Sequence, residues 1–309
     1  MPVPSSGRAT KARKSDVGIV SALPELRRVS PDERELQGAL ETRGLVARRV
    51  AWDATKVDWS NFRLLVVRST WNYVQQRERF LRWAERAHHV SALWNPLRTL
   101  RWNTEKTYLQ DLERAGVAVI PTRWVRADEA LDLASIRRAT RWGRLVVKPT
   151  VSAGGWRTYL VGSGDEARIE RRVLRSRPRV DLMVQPYLRS VETVGEIALI
   201  FLDGKFSHAI RKEPFLSASR VSFVPPRAYP NGRQKALGRA VLRAAPDRTL
   251  YARVDLLRDD DGRWCVGEAE LTEPYLYLTT RPGAVEALAA AIERRLDSAV
   301  KENTTKPST

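Results

Sequence analysis

"YARVDLLRDDDGRWCVGEAELTEP" spans residues 251–274 and brings three carboxylates, Asp255, Glu268 and Glu270, close together in a chain of net charge +18. Asp259-Asp260-Asp261-Gly262 is strong turn chemistry, and apolar residues alternate with polar ones on either side, so the stretch reads as a β-hairpin. Pairing the flanks across a four-residue turn puts Asp255 opposite Val266 and Arg253 opposite Glu268. Directly paired residues share a sheet face, as do positions two apart. Asp255, Glu268 and Glu270 then project from one face beside Arg253, and any even-length loop keeps that parity. Three carboxylates on one face repel unless a cation sits among them, and hard oxygen ligands of this kind suit magnesium shared with substrate phosphates. On this reading, neutralising Asp255 relieves repulsion in the metal-free protein. The alternative is a solvent-facing acidic strand.

A chain of 309 residues with 43% hydrophobic composition can bury a substantial core across two or three structural units. No run of 18 apolar residues occurs, which argues against a transmembrane helix and a membrane partner. The N-terminus "MPVPSSGRATKARKSD" lacks the apolar segment of a secretory signal, and the one cysteine, Cys265, has no internal disulfide partner. A reduced, cytoplasmic setting fits both. The positive charge raises nucleic acid as a partner. Yet the excess is mostly arginine, dispersed along the chain and densest at "RIERRVLRSRPRV" (168–180), with no zinc-finger, RNP-like or helix-turn-helix pattern. An arginine-rich solvated surface accounts for it, and specific nucleic-acid binding is not expected.

Residues 1–15 read as a disordered basic tail and 299–309 as a flexible end. "VGIVSAL" (17–23) is a short apolar strand. Ser30-Pro31-Asp32-Glu33 supplies an N-cap, a proline at the first helical position and a glutamate that completes a capping box, so a helix runs to about Arg43. A strand near 45–51 and the apolar strand "RLLVVRST" (63–70) follow, and the strand-helix-strand order argues for a parallel sheet covered on both faces. A helix from about Thr104 to Ala115 stops at Gly116. "RLVVKPT" (144–150) and "LMVQPYL" (182–188) are further strands, and "EIALIFLDGKFSHAIRK" (196–212) is a hairpin with Asp203-Gly204 at its tip. Helices at 232–244 and 282–296 flank the carboxylate hairpin. The fold class is α/β, turning α+β in the C-terminal part.

Lys148 lies inside an apolar strand, where an unpaired ammonium is costly to bury and a phosphate partner removes the cost. The adjacent Ser152-Ala153-Gly154-Gly155 lets backbone N–H groups approach phosphate oxygens. Lys106, in "WNTEKTYL", reads alone as a surface helical lysine. His208 reads as a packed histidine rather than a base, and Cys265 as a small buried hydrophobe rather than a nucleophile. In order, the chain carries an Asn-x-x-Lys helix opening, a Val-Lys-Pro strand, a Gly-rich loop, a Gln-Pro-Tyr-Leu hinge, a Gly-Glu hairpin, then Arg-Val-Asp and Glu-x-Glu. This order resembles the ATP-grasp superfamily, to which glutathione synthetase and D-alanine–D-alanine ligase belong. "RSTWNY" (68–73), "NTEKTYLQDLERAGVAVIPT" (103–122), "VETVGE" (191–196), "DGKFSHAIRK" (203–212) and "YARVDLL" (251–257) are similar to the bacterial branch that includes the cyclo-ligase of cycloserine biosynthesis.

The resemblance covers about residues 16–298. It implies an ATP-grasp fold with a pre-ATP-grasp parallel-sheet domain over 16–102, a central lid subdomain over 103–185 and a C-terminal subdomain carrying the metal site over 186–298. It implies that Lys106 and Lys148 contact ATP phosphates while the loop bearing Ser152, Gly154 and Gly155 closes over them. Gln185 and the backbone near Leu188 would meet adenine, and Glu196 the ribose. Asp255, Glu268 and Glu270 would hold magnesium or manganese, and Arg253 would stabilise the transferring phosphoryl group. Lys212 and Arg220 are the candidates to hold the substrate carboxylate. The chemistry implied is a ligase that activates a small-molecule carboxylate as an acyl phosphate for an amine-type nucleophile, with intramolecular attack making it a cyclo-ligase. The rivals are a catalytically silent ATP-binding scaffold, which the full set of lysines and carboxylates disfavours, and a basic nucleic-acid binder. Departures from the pattern are Asn72, where aspartate is commoner, Glu270, where many relatives carry Asn, and "RVSFVPP" (220–226), so substrate identity transfers least. Tyr275 and Tyr277 either wall a pocket or belong to the core. A homo-oligomer is compatible with the sequence.

Overall fold

The computed structural model describes residues 15–175, 179–213 and 225–304, so Arg220 lies outside the described residues. Strands β1 (Ser15–Ser21), β2 (Ala47–Ala51), β3 (Phe62–Val67) and β4 (Ala92–Trp94) form a parallel sheet in the order β2-β1-β3-β4. Its central strand β3 is buried from Leu64 to Val67 because helices cover both faces. Leu64 and Val66 pack with Leu36 and Leu40 of the Pro31–Thr42 helix. Leu65 and Val67 face the other way, against Phe80, Trp83, Ala84 and Ala87 of the Arg77–Val90 helix. Among the described residues no helix is long and apolar enough to cross a membrane.

A second sheet is antiparallel, in the order β5-β8-β6-β7, from β5 (Arg123–Val125), β6 (Leu145–Pro149), β7 (Tyr159–Val161) and β8 (Leu182–Pro186). It has its own core, centred on Leu145, Val147, Leu182 and Val184. The third sheet, also antiparallel, runs β10-β9-β11-β12, from β9 (Glu196–Leu202), β10 (Lys205–Lys212), β11 (Tyr251–Arg258) and β12 (Trp264–Glu270). It shares a core with the first: Val17, Ile19, Leu64 and Val66 pack in one cluster with Ala198, Ile200, Tyr251, Leu288 and Ile292. Two buried asparagines tie the chain before the second sheet to β11 and the end of β12. Asn95 donates to Tyr251 O at 2.9 Å and accepts from Leu250 N at 2.6 Å, while Asn103 donates to Ala269 O at 2.7 Å and accepts from Leu271 N at 2.6 Å.

Four local expectations need correction. Ser15, assigned to the tail, opens β1 and pairs with Phe62. Ser30 caps its helix as expected, accepting from Glu33 N at 3.3 Å, but Glu33 does not complete a capping box. Its buried carboxylate accepts instead from Ser21 Oγ at 3.2 Å and from Ser69 Oγ, the hydroxyls at the ends of β1 and β3. The helix expected over 104–115 starts later, as Tyr108–Arg114, and a separate helix, Leu97–Asn103, precedes it. The chain breaks between them because Lys106 N bonds outward to Thr150 O at 2.8 Å. The last helix runs Ala284–Thr304, past the expected 296, with no proline to stop it before Pro307.

Gly195 controls the entry to β9. It has φ +77, and a Cβ there would lie 2.8 Å from Lys212 O. Gly195→Ala imposes a left-handed non-glycine residue, costing about 1–2 kcal/mol before the clash is counted, and is expected to lower the melting temperature by several degrees. An unchanged melt would show that the backbone can relax there.

Candidate active site

Strand alternation places Tyr251, Arg253 and Asp255 on one face of β11. Across the hairpin, Arg253 pairs with Glu270 and Asp255 with Glu268, two residues from the register expected from a four-residue turn. The turn holds five residues, 259–263, because Arg258 pairs with Trp264. By itself that odd count would send the acidic pair to the opposite face. A bulge between Asp255 and Leu256 leaves Gly267 as an extra residue on β12, and the second odd step restores parity. The three carboxylates share a face through two compensating irregularities rather than one even loop.

They are not bare. Arg253 clamps Asp255, with Nε 2.9 Å from Oδ1 and Nη2 2.9 Å from Oδ2; Nη2 also reaches Glu270, and Nη1 donates to Tyr275 O at 3.1 Å. Lys212 Nζ donates to Asp255 Oδ2 at 2.8 Å and pairs with Glu196, its partner in the β9–β10 ladder. From the second sheet, Lys148 Nζ reaches Glu268 Oε1 at 2.8 Å. Lys106 is 8% exposed, not a surface lysine; its Nζ donates to Ser152 O, lies 3.2 Å from Ser152 Oγ and 3.9 Å from Glu268 Oε1. Four cations therefore alternate with Asp255, Glu268, Glu270 and Glu196.

Electrostatics follow from this pairing. Burial opposes charge on Asp255, but Arg253 and Lys212 override it and hold the carboxyl far below its usual range. Burial also opposes charge on Glu268, and Lys106 and Lys148 bring it down to about 2. Lys212 loses hydration, yet Asp255 and Glu196 hold its ammonium well above the ordinary lysine value. Burial dominates at Glu196, raised to about 7 despite Lys212, and at Glu270, which is raised despite Arg253.

Sequence reasoning missed Glu273. It is 6% exposed, shares a hydrogen bond with the Tyr73 hydroxyl, and offers its carbonyl to Trp71 Nε1 at 3.0 Å. Burial and repulsion from Glu270 push its carboxyl up to about 8. Its signal was the run of acids at every second or third position after Cys265, in which Glu273 falls out of the strand period and was passed over.

The remaining candidates have partners of their own. The loop at Ser152 turns through Gly154 (φ +56) and Gly155 (φ +69), and Ser152 Oγ donates to Pro149 O at 3.1 Å. Gln185 Nε2 donates to Thr122 Oγ1 at 2.9 Å, and Leu188 packs with Ile120 and Cys265. Glu196, expected at the ribose, stands beside Lys212 and Asp255. His208 is buried, with Nε2 3.1 Å from Leu276 O and Tyr277 O, and burial lowers it to about 4, so it packs as a neutral ring. Tyr275 and Tyr277 belong to the shared core, their rings edge to face at 4.7 Å. Cys265 is buried, and its thiol is pushed up by that burial.

The donor set suits a hard cation, because Glu268 and Glu270 keep 29% and 26% of their side chains exposed beside the buried Asp255. Among the described residues, however, no group of His, Cys, Asp or Glu is arranged to hold a metal ion, since a protein cation holds each carboxylate.

Two antiparallel sheets, with Lys148 of one meeting Glu268 of the other and Lys106 beside the same carboxylate, are the arrangement of an ATP-grasp enzyme. The family model described as "D-cycloserine synthetase DcsG, N-terminal domain" matches residues 17–95. The chain is 35% identical over 284 residues to the cycloserine biosynthesis protein DcsG of Streptomyces lavendulae, covering 86% of this chain and 94% of that one. It is similar to the crystal structure of D-cycloserine synthetase DcsG, with TM-score 0.80 and 33% identity over 91% of this chain and 99% of that one. It shares the fold of the ATP-grasp ligase PsnB, solved with a precursor peptide and AMPPNP, at TM-score 0.63 and 17% identity over 94% of this chain and 100% of that one. The chain belongs to the D-cycloserine synthetase family of ATP-grasp ligases, enzymes of the ligase type.

Two predictions follow from the pairing. Asp255→Asn leaves Arg253 and Lys212 buried against a neutral amide, so it is expected to destabilise the ligand-free protein by about 3–5 kcal/mol in denaturant unfolding. This reverses the expectation from carboxylate repulsion alone, and a variant as stable as wild type would restore that simpler view. Glu273 holds a proton in the folded state from its ordinary value near 4.5 up to about 8. Folding therefore takes up a proton in that window, and stability falls as pH rises through it. Glu273→Gln is expected to flatten the decline and to melt at or above wild type at pH ~8. A wild-type stability that rises across this window would contradict the buried protonated carboxyl.

Proposed function

We propose that the chain is a magnesium-dependent ligase that uses ATP to activate the carboxylate of a small amino-acid-like molecule, closing it on an amine-type nucleophile of the same molecule. The observation that carries this reading is the single network in which Lys106, Lys148, Lys212 and Arg253 meet Glu268, Asp255, Glu270 and Glu196. Positioning and charge neutralisation dominate phosphoryl transfer, and this is a site made of little else.

Lys106 and Lys148 exchange Glu268 for ATP phosphates, beneath the loop bearing Ser152, Gly154 and Gly155. Gln185 and the backbone near Leu188 face adenine. Asp255, Glu268 and Glu270 would hold magnesium, which when bound neutralises phosphate charge. Arg253, fixed by Asp255 and the Tyr275 carbonyl, aims its guanidinium at the phosphoryl group in flight. Lys212, steadied by Glu196, holds the substrate carboxylate, with Arg220 assigned to the same end. A carboxylate oxygen attacks the γ-phosphorus and ADP leaves; the nucleophile then attacks the acyl carbon and expels phosphate. Similarity at 35% identity to a cycloserine biosynthesis protein supports a small substrate over a peptide.

The test is phosphate release with Mg-ATP across free amino acids, ureido- and aminooxy-amino acids, dipeptides and a carboxylate-tailed protein. Turnover with a ureido- or aminooxy-amino acid and no added amine, giving a ring by mass spectrometry, is the expected result. Turnover confined to dipeptides or the protein would refute it. Calorimetry with a non-hydrolysable ATP analogue should show magnesium-dependent binding that Lys148→Ala weakens by about tenfold or more, the loss of a charge-assisted contact.

A further inference from the structure

The densest arginine run of the sequence folds as the Glu166–Arg175 helix, and the charge network between the sheets makes no use of it. Arg168, Arg171, Arg172 and Arg175 fall at i, i+3, i+4 and i+7, so four exposed guanidiniums share one helix face about 10 Å long. The helix turns its own acids inward. Glu166 pairs with Arg137 Nε at 2.7 Å, and Glu170 accepts from Leu133 N at 2.7 Å, both on the neighbouring Leu133–Thr140 helix. Asp165 answers Arg168, with Nη2 2.9 Å from Oδ1, and the face stays strongly positive. Like charges at this spacing weaken a helix, so its own stability does not explain them.

This face is concave. A cavity of about 470 Å³ lies against edge strand β7, lined by Arg157, Thr158, Tyr159, Arg168 and Arg172 beside Ile169. A second, of about 520 Å³, shares Arg168 and Arg172 with it and reaches Arg171 and Arg175. Among the described residues no carboxylate lines either one, and volumes of this size suit a small ligand. Ile169 packs with Leu145 and Val147, and alternation along β6 sends Lys148 to the opposite face, so the cavities lie across the sheet from that lysine. Arg157 enters from the loop after Gly155 at φ +54, a left-handed conformation that non-glycine residues keep mainly where function fixes them. Its guanidinium lies 4.6 Å from the Trp156 ring centroid, and that of Arg172 lies 5.2 Å from the Tyr159 centroid. The two rings hold guanidiniums in place, which favours recognition of charge over stacking of bases.

The length of the stripe discriminates among anions. Carboxylates on one face of an extended peptide stand about 7 Å apart, so one or two of them reach it. A phosphate group brings about −1.5 to −2 charges and three acceptor oxygens to a single point, and guanidinium forks hold it bidentately. We propose that the cavity at Arg157, Arg168 and Arg172, extended by Arg171 and Arg175, binds a compact polyphosphate anion. The source is a free inorganic phosphate chain or the phosphates of a nucleotide, and the site is separate from the one where Lys148 meets Glu268.

Arginines of the full chain are modified with phenylglyoxal and mapped by peptide mass spectrometry during titration with tripolyphosphate, Mg-ADP, polyglutamate or a mixed oligonucleotide. Salt is held at about 0.15 M to screen diffuse attraction. Tripolyphosphate should protect Arg157, Arg168 and Arg172 at least tenfold below the concentration that protects Arg233 and Arg239, exposed on the Gly232–Ala244 helix. Protection of the same three by Mg-ADP assigns the site to a nucleotide, and protection by tripolyphosphate alone assigns it to a free chain. Arg168→Gln/Arg171→Gln should raise the tripolyphosphate concentration that protects Arg172 at least tenfold. The charge-matched Arg233→Gln/Arg239→Gln should leave it unchanged. The wild-type map carries the test if a variant fails to fold. Equal protection of the two helices, no protection, or an equal loss in both double variants would reduce these arginines to diffuse surface charge and overturn the site. Protection by polyglutamate or the oligonucleotide at lower concentration than by tripolyphosphate would overturn it in favour of an acidic protein or a nucleic acid. None of these readouts involves turnover, so they stand apart from the ligase reading.

Discussion

Arg253 is the residue on which the site's geometry depends. The residue is 6% exposed, and its guanidinium is bonded at once to Asp255, Glu270 and the Tyr275 carbonyl. A charge this deep is tolerated only with partners on every side, because the loss of hydration exceeds what one distant counterion returns. Asp255 has to stand two residues along the same strand face, Glu270 has to pair across the hairpin, and the 273–278 segment has to fold back over both. The same demand spreads outward through Asp255 to Lys212 and through Lys212 to Glu196. What looks in sequence like an acidic strand awaiting a metal is a chain of alternating charges already in balance.

That balance explains how one protein can be stable without nucleotide and receptive to it. Lys148 lies on β6, in a sheet with its own core, while Glu268 lies on β12, in the sheet that shares its core with the parallel domain. Their ion pair joins the two sheets. In the proposed mechanism phosphate oxygens take over the lysines and magnesium takes over the carboxylates, so partners are exchanged and no charge is left alone. The irregular hairpin serves the same end. Gly267 supplies the extra residue of the bulge, and a Cβ there would come within 2.9 Å of Leu257 Cδ1, so only the smallest side chain fits without displacing its neighbour.

Much of this was legible in sequence. Period-two alternation in 251–258, the Asp-Gly turn at 203–204 and the Ser30-Pro31 helix start each rest on local chemistry, and each stands where it reads. The register of the decisive hairpin did not: Asp259 donates its N–H to Arg263 O and accepts from Arg263 N, which lengthens the turn to five residues, and the bulge at Gly267, packed against Leu257, leaves no local mark in the sequence. Lys106 read as a surface lysine since nothing local records that its backbone bonds to Thr150, 44 positions on. Glu33 looked like a capping glutamate because its use depends on Ser21 and Ser69, brought together only by strand pairing. Glu273, Asn95 and Asn103 were missed for the same reason. Their partners are distant in sequence, and burial rather than residue type gives them their roles.

The central claim is that this charge network moves a phosphoryl group onto a substrate carboxylate. Oxygen-18 in both carboxylate oxygens of O-ureido-serine tests it directly when the released phosphate is analysed by mass spectrometry after incubation with Mg-ATP. An acyl phosphate carries one substrate oxygen away with the phosphorus, so each phosphate released should hold one labelled oxygen. Release of wholly unlabelled phosphate alongside product would contradict carboxylate activation and the roles assigned to Arg253 and Lys212.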